Sequence, residues 1–175
     1  MDPPLKPEHK AYLAAFAETR RMARDEALAA KEPDPIREAA GLPVGKQGDF
    51  VVNDSGGNIF GDDSASSVTD HNRPPEGQPG LWCQWVPNED GTAIRWDGSE
   101  KFYHYADWIE YLIERFLTPW GYKLAGTVKW QGEERSDRGF ICISNNKVFV
   151  NEKPTALDRM VEAITTPKKA KRKKL

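Results

Sequence analysis

The sequence predicts an α+β protein: a small antiparallel sheet in the order β-β-α-β-β-β with one helix packed on one face. An N-terminal helix, a linker and a basic tail flank it. Three observations carry this. All six tryptophans lie in the 49 residues from Trp82 to Trp130, and aromatic rings dominate small cores. Residues 102–117 repeat apolar side chains every three or four positions, as an amphipathic helix does. Residues 123–131 alternate apolar and polar side chains, as a half-buried strand does.

The elements follow in chain order. Residues 8–31 are alanine-rich, which favours helix, and Pro33 and Pro35 stop it. Its apolar patch, Tyr12, Leu13 and Phe16, is short, so the expectation is a semi-isolated helix occupying residues 1–32. Residues 33–80 are expected to be a flexible linker, because Asp54-Ser55-Gly56-Gly57 and the run 61–67 favour turns and disorder. Phe50-Val51-Val52 and Ile59-Phe60 are its apolar knots, placed either to pair as a hairpin or to clip onto the folded domain. Residues 81–152 form the expected core domain. Strands at 81–86 and 92–96 flank turn chemistry at Asn88-Glu89-Asp90-Gly91. The helix at 102–117 aligns Tyr105, Trp108, Ile109, Leu112, Ile113, Phe116 and Leu117, with Asp107, Glu110, Glu114 and Arg115 opposite, and Pro119 and Gly121 end it. Strands at 123–131, 140–144 and 147–150 complete the sheet, the last two joined at Asn145-Asn146. Residues 153–175 are expected to hold a short amphipathic helix and a disordered tail.

Charge is unevenly spread. Residues 1–80 hold 9 basic and 14 acidic groups, residues 81–152 hold 8 and 11, and residues 153–175 hold 8 and 2. The formal net charge of -2 excludes a chain that is basic throughout. Two cysteines are too few for a disulfide scaffold or a four-cysteine zinc site. No apolar run reaches the length of a membrane span, and residues 1–10 lack the apolar stretch of a signal peptide. A cytoplasmic protein without membrane attachment is the expectation.

The segment Gln78-Pro79-Gly80-Leu81-Trp82-Cys83-Gln84-Trp85 resembles an opening found in a family of small uncharacterised phage and bacterial proteins. So do Ile94-Arg95-Trp96-Asp97-Gly98 and Pro119-Trp120-Gly121-Tyr122. The same holds for Gly126, Val128 and Trp130-Gln131-Gly132-Glu133-Glu134 with Asp137 and Gly139. Ala125 departs from the pattern, in which Asn precedes that glycine. The resemblance covers residues 74–151. It implies a small α+β domain of phage or prophage origin, and it implies no activity.

Four patterns in the sequence bear on chemistry. Glu133, Glu134 and Asp137 put three carboxylates in five residues, which could suit a hard cation, but the spacing fits no calcium loop and no metal is expected. His104 with Asp107 three residues on has the helical spacing of an acid–base pair. Cys83 and Cys142 lack the CxxC spacing, and a Cys–His nucleophile with His104 has no signature. No phosphate-binding glycine loop follows a strand. No catalytic residue and no cofactor are therefore expected.

Two surfaces remain. Asp107, Glu110 and Glu114 on the helix, with Glu133, Glu134 and Asp137, are candidate contacts for a host protein. Arg95, Lys123, Lys129 and Lys147 are expected on the outer sheet face with Phe140 and Phe149, an arrangement that stacks bases and neutralises phosphates. Lys168, Lys169, Lys171, Arg172, Lys173 and Lys174 in the tail would attract nucleic acid weakly and without sequence preference. The leading expectation is a non-enzymatic phage-type accessory protein that binds a host protein. The alternative is a nucleic-acid-associated protein using the tail and the sheet face.

Overall fold

The computed structural model describes residues 1–44, 46–51, 66–99 and 101–151. The expected helix at 153–167, the basic tail, Val52 and the Ile59-Phe60 knot lie outside these residues. The fold is α+β, and its chain contacts divide it into two compact units, residues 1–122 and 123–175. That division differs from the expected one, which began the core at residue 81.

Helix α1 runs Pro7–Glu18, with Pro7 at its first turn, where a missing N–H costs nothing. It is not semi-isolated. Tyr12, Leu13 and Phe16 are fully buried. The Phe16 ring lies 6.0 Å from Trp108 and 5.3 Å from Phe116, and Tyr12 lies 5.1 Å from Phe116. Burying each such side chain contributes roughly 1.5–3 kcal/mol, so a three-residue stripe suffices once a partner helix exists. The expected helix 8–31 breaks after residue 18 into β1 (Ala23–Arg24) and α2 (Glu26–Ala29), and α3 (Pro35–Ala39) follows beyond it. Asp25 caps α2 through Leu28 N–H, and Asp34 caps α3 through Arg37 N–H. Side-chain caps of this kind start new helices.

The expected linker is substantially ordered. Strand β2 (Val68–Asp70) pairs antiparallel with β1. Gly48 and Asp49 lie in a short 3-10 turn, Gln47–Asp49. Phe50 and Val51 are buried, so this part of the knot packs into the unit. Arg21 explains the order. It is fully buried, donates to Gln78 Oε1 at 3.1 Å and Gly48 O at 3.0 Å, and stacks on Phe16 at 4.0 Å. Asp49, also fully buried, receives a two-pronged pair from Arg115 at 3.0 and 2.6 Å, which raises the Arg115 pKa.

Strands β3 (Trp85–Pro87) and β4 (Ile94–Trp96) form the expected hairpin, shortened, with Trp85 opposite Trp96. Gly91 at its turn has φ +71°, and a side chain there would stand 3.2 Å from Leu5. Only glycine satisfies both demands. Helix α4 spans Tyr105–Leu112 and continues as a wide π turn, Ile113–Leu117. Thr118 N–H reaches back five residues to Ile113 O, one residue before Pro119, whose ring would crowd a regular helix. Tyr122 N–H bonds Leu117 O and Gly121 N–H bonds Thr118 O, with Gly121 at φ +83°. This is a Schellman stop. Trp108, Ile109, Leu112, Ile113, Phe116 and Leu117 are buried as the spacing requires, and Asp107, Glu110 and Glu114 are exposed.

The second unit holds a meander, β5 (Gly126–Gln131), β6 (Arg138–Ser144) and β7 (Lys147–Val150), in that order. Asn145 and Asn146 turn the last hairpin with φ +49° and +67°, the conformation asparagine tolerates best after glycine. Trp130 sits opposite Gly139, and its ring packs against the bare glycine backbone. The single five-stranded sheet is not formed. Among the described residues the strands make sheets of two, two and three.

Candidate functional site

The first unit carries an aromatic cavity of about 400 Å³ between the segment before β3 and the turn before α4. Leu81 O accepts from Arg21 N–H at 2.9 Å and Gln84 O accepts from Asp97 N–H at 3.0 Å. Those two bonds hold residues 81–84 between the buried arginine and the hairpin. Trp82 and Gln84 form one wall; Lys101, Tyr103 and His104 form the other.

The second wall is built from an uncommon backbone. Lys101 and His104 both have φ +55°, a left-handed conformation that costs a non-glycine residue about 1–2 kcal/mol. Its neighbours hold it there. Trp85 Nε1–H donates to Tyr105 O at 2.8 Å, and Phe102 packs edge-on against Trp85 at 5.2 Å. Strained backbone fixed by its surroundings is a common property of binding loops.

Trp108 closes the floor. Its ring is fully buried, and among the described residues its Nε1–H has no hydrogen-bond partner. A side-chain carbon at Gly80 would stand 3.8 Å from both that nitrogen and His104 Cδ2. Two large aromatics rim the region: Trp96 is 50% exposed and Tyr103 68% exposed. Trp96 Nε1–H donates to Gln84 Oε1 at 3.3 Å, which ties the exposed indole to the cavity wall.

The other candidates are placed as follows. His104 Nδ1 lies 3.3 Å from Asp107 Oδ2, and both side chains are largely exposed. The spacing therefore does bring this pair together. Cys83 is fully buried and, though expected in the strand 81–86, lies before β3, which begins at Trp85; desolvation pushes its thiol up to about 12, so it stays protonated at neutral pH. Glu110 is exposed, and partial desolvation followed by Asp107 and Glu114 raises its pKa. Glu133, Glu134 and Asp137 are all exposed in the β5–β6 loop of the other unit. Among the described residues no group of three or more His, Cys, Asp or Glu side chains has metal-binding geometry.

Arg95 corrects the expected basic face. It lies on β4 in the first unit, whereas Lys129 lies on β5 and Lys147 on β7 in the second, because the hairpin forms its own sheet. Lys123 precedes β5 and is half-buried. Within the second unit the register places Lys129 opposite Phe140 and Phe149 opposite Cys142. Lys129, Phe140 and Phe149 therefore share one face. The tail lysines and Arg172 lie outside the described residues.

Sequence reasoning missed the cavity. Trp82, Trp96 and Trp108 read from the sequence as core formers, and neither Lys101 nor Tyr103 stands out there as a site residue. Among the described residues no helix is long and apolar enough to cross a membrane. No protein-family model, no curated protein and no solved structure matches the chain.

Proposed function

We propose that this protein is a non-catalytic binding protein that recognises another protein through the aromatic cavity of its first unit. The observation that carries the reading is the rim of Trp96 and Tyr103, half and two-thirds exposed, beside a cavity lined by Trp82 and His104. Tryptophan and tyrosine are the residues that most often anchor protein interfaces. The protonated, buried Cys83 supports a non-catalytic reading, since a thiol nucleophile must ionise. The acidic face of α4 then flanks the contact, Asp107 pairing with His104 at the cavity edge, rather than forming its centre. The resemblance of residues 74–151 supports a phage or prophage origin, and the host-protein role is an analogy with phage accessory proteins as a class.

The experiment is affinity capture from host lysate with and without nuclease, using the wild type, Trp96→Ala/Tyr103→Ala and a chain lacking residues 168–175. The reading expects a stoichiometric protein partner that resists nuclease, survives loss of the tail and disappears with the double substitution. A partner retained by the double variant contradicts it.

A second reading has its own observation. The register that puts Lys129, Phe140 and Phe149 on one sheet face supports stacking of single-stranded bases. Binding of a single-stranded oligonucleotide that falls steeply with salt and with Phe140→Ala would favour it.

A further inference from the structure

The second unit carries a binding surface of its own. We propose that one face of its three-stranded sheet holds an unpaired nucleic-acid strand. Two neighbouring bases stack on Phe140 and Phe149, and Lys129, Arg138 and Lys147 pair with the phosphates beside them. This rests on the reading of that face as a stacking surface, and adds a binding function separate from the cavity.

The register fixes the two faces. Val128, Trp130, Ile141, Ile143 and Val148 fall on one, where Ile141 and Ile143 are buried. Lys129, Arg138, Phe140, Cys142, Lys147 and Phe149 fall on the other, since side chains alternate along a strand. There the three cations are exposed and the two phenylalanines half-buried, so both rings keep part of their surface in water. Phe149 stands opposite Cys142, two residues along β6 from Phe140. The two rings are therefore diagonal neighbours, their backbones about 7–8 Å apart, and each can take its own base.

The cations interleave with the rings. Lys129 is directly opposite Phe140, Arg138 lies two residues before Phe140, and Lys147 lies two before Phe149. Strands β5, β6 and β7 contain no Asp or Glu. Charge complementarity thus selects a polyanion. The rings select one with exposed bases over a duplex, which hides them, and over an acidic peptide, which would leave them uncovered. Glu133, Glu134 and Asp137 sit in the loop beyond the Gln131–Arg138 pair, so the nucleic-acid strand runs from the rings toward Lys147 and away from that loop.

The probes are short oligothymidylate and oligouridylate, with a duplex and polyglutamate as comparisons. Binding to the full chain is followed by anisotropy across a salt series and by the alkylation rate of Cys142, which lies between the two rings; buried Cys83 is the silent control. A chain lacking residues 168–175 is run in parallel.

Phe140→Ala and Phe149→Ala should each weaken the single strand at least about fivefold without changing the salt slope, and Phe140→Tyr should restore binding. Arg138→Gln and Lys147→Gln should each flatten the slope of log K against log salt by about 0.7. Bound strand should slow alkylation of Cys142, which decides the matter should an alanine variant fail to fold. The ring dependence should persist without the tail. Either oligomer binding in this way supports the proposal. Binding lost wholly with the tail overturns it, as does a duplex or polyglutamate that binds the tail-less chain as tightly as the single strand, or Cys142 alkylated at an unchanged rate. If affinity ignores both rings, the stacking reading and the proposal fall together. If the rings matter while Arg138→Gln and Lys147→Gln leave the slope unchanged, the phosphate contacts fall and the stacking reading stands.

Discussion

Replacing Phe16 with alanine tests whether the N-terminal helix is part of the core. The ring is fully buried, contacts Trp108, Phe116, Tyr111 and Tyr12 at 5.3–6.2 Å between centroids, and carries the Arg21 guanidinium 4.0 Å above it. Truncating a buried phenylalanine costs about 3–5 kcal/mol. The desolvated cation–π contact, about 2 kcal/mol, is lost with it and places the change toward the upper end. Against a total stability of about 5–15 kcal/mol, that is a large share. Urea unfolding followed by tryptophan fluorescence should show one transition whose midpoint falls by about 2 M, given a slope of about 2 kcal/mol per molar urea. Far-ultraviolet circular dichroism should move with it. A loss below about 1 kcal/mol, or a helix signal that melts before the fluorescence does, would refute the reasoning. Either result would restore a semi-isolated helix.

Other outcomes follow from single residues. His9 stacks on Trp120 at 4.0 Å and shares a 2.8 Å hydrogen bond with the Tyr122 hydroxyl, and burial lowers its pKa below 6.5. The unfolded chain therefore takes up the proton first, so stability should fall as pH drops through the range below 6.5; His9→Gln should remove that component, and an unchanged pH slope would contradict it. Cys83, at a pKa of about 12 and fully buried, should resist alkylation in the native protein and label only on unfolding, whereas half-buried Cys142 labels first. Gly121→Ala meets no neighbouring atom but must adopt φ +83°, so it should cost about 1 kcal/mol with no change in ligand binding. Asp49→Ala strips Arg115 of its two-pronged partner; because Arg115 is partly exposed, the loss should be about 2 kcal/mol rather than the larger value of a wholly buried pair.

Local signals in the sequence were sufficient where the structure is local. The apolar spacing from Trp108 to Leu117 is the buried stripe of α4, and Asn145-Asn146 is the turn of the last hairpin. Asp25 and Asp34-Pro35 are cap signals for α2 and α3 that were present and passed over. What was not legible is non-local. Phe16 finds Trp108 and Phe116 across about a hundred residues of chain. Arg21 and Arg37 are fully buried though arginine normally reads as surface. Arg21 is held by Gln78 and Gly48, two positions within the stretch expected to be linker. The cavity depends on a left-handed backbone at Lys101 and His104, which residues other than glycine seldom announce. The one signal available was Gly80 beside Trp82, a small residue next to a large one where space can open.

The most direct test of the binding-site assignment is amide hydrogen exchange on the full chain with and without its captured partner. The account predicts new protection at residues 80–84 and 101–105, at the cavity walls, and little change in β5–β7. Protection confined to the strands carrying Lys129, Phe140 and Phe149, with residues 80–84 and 101–105 unchanged, would contradict it.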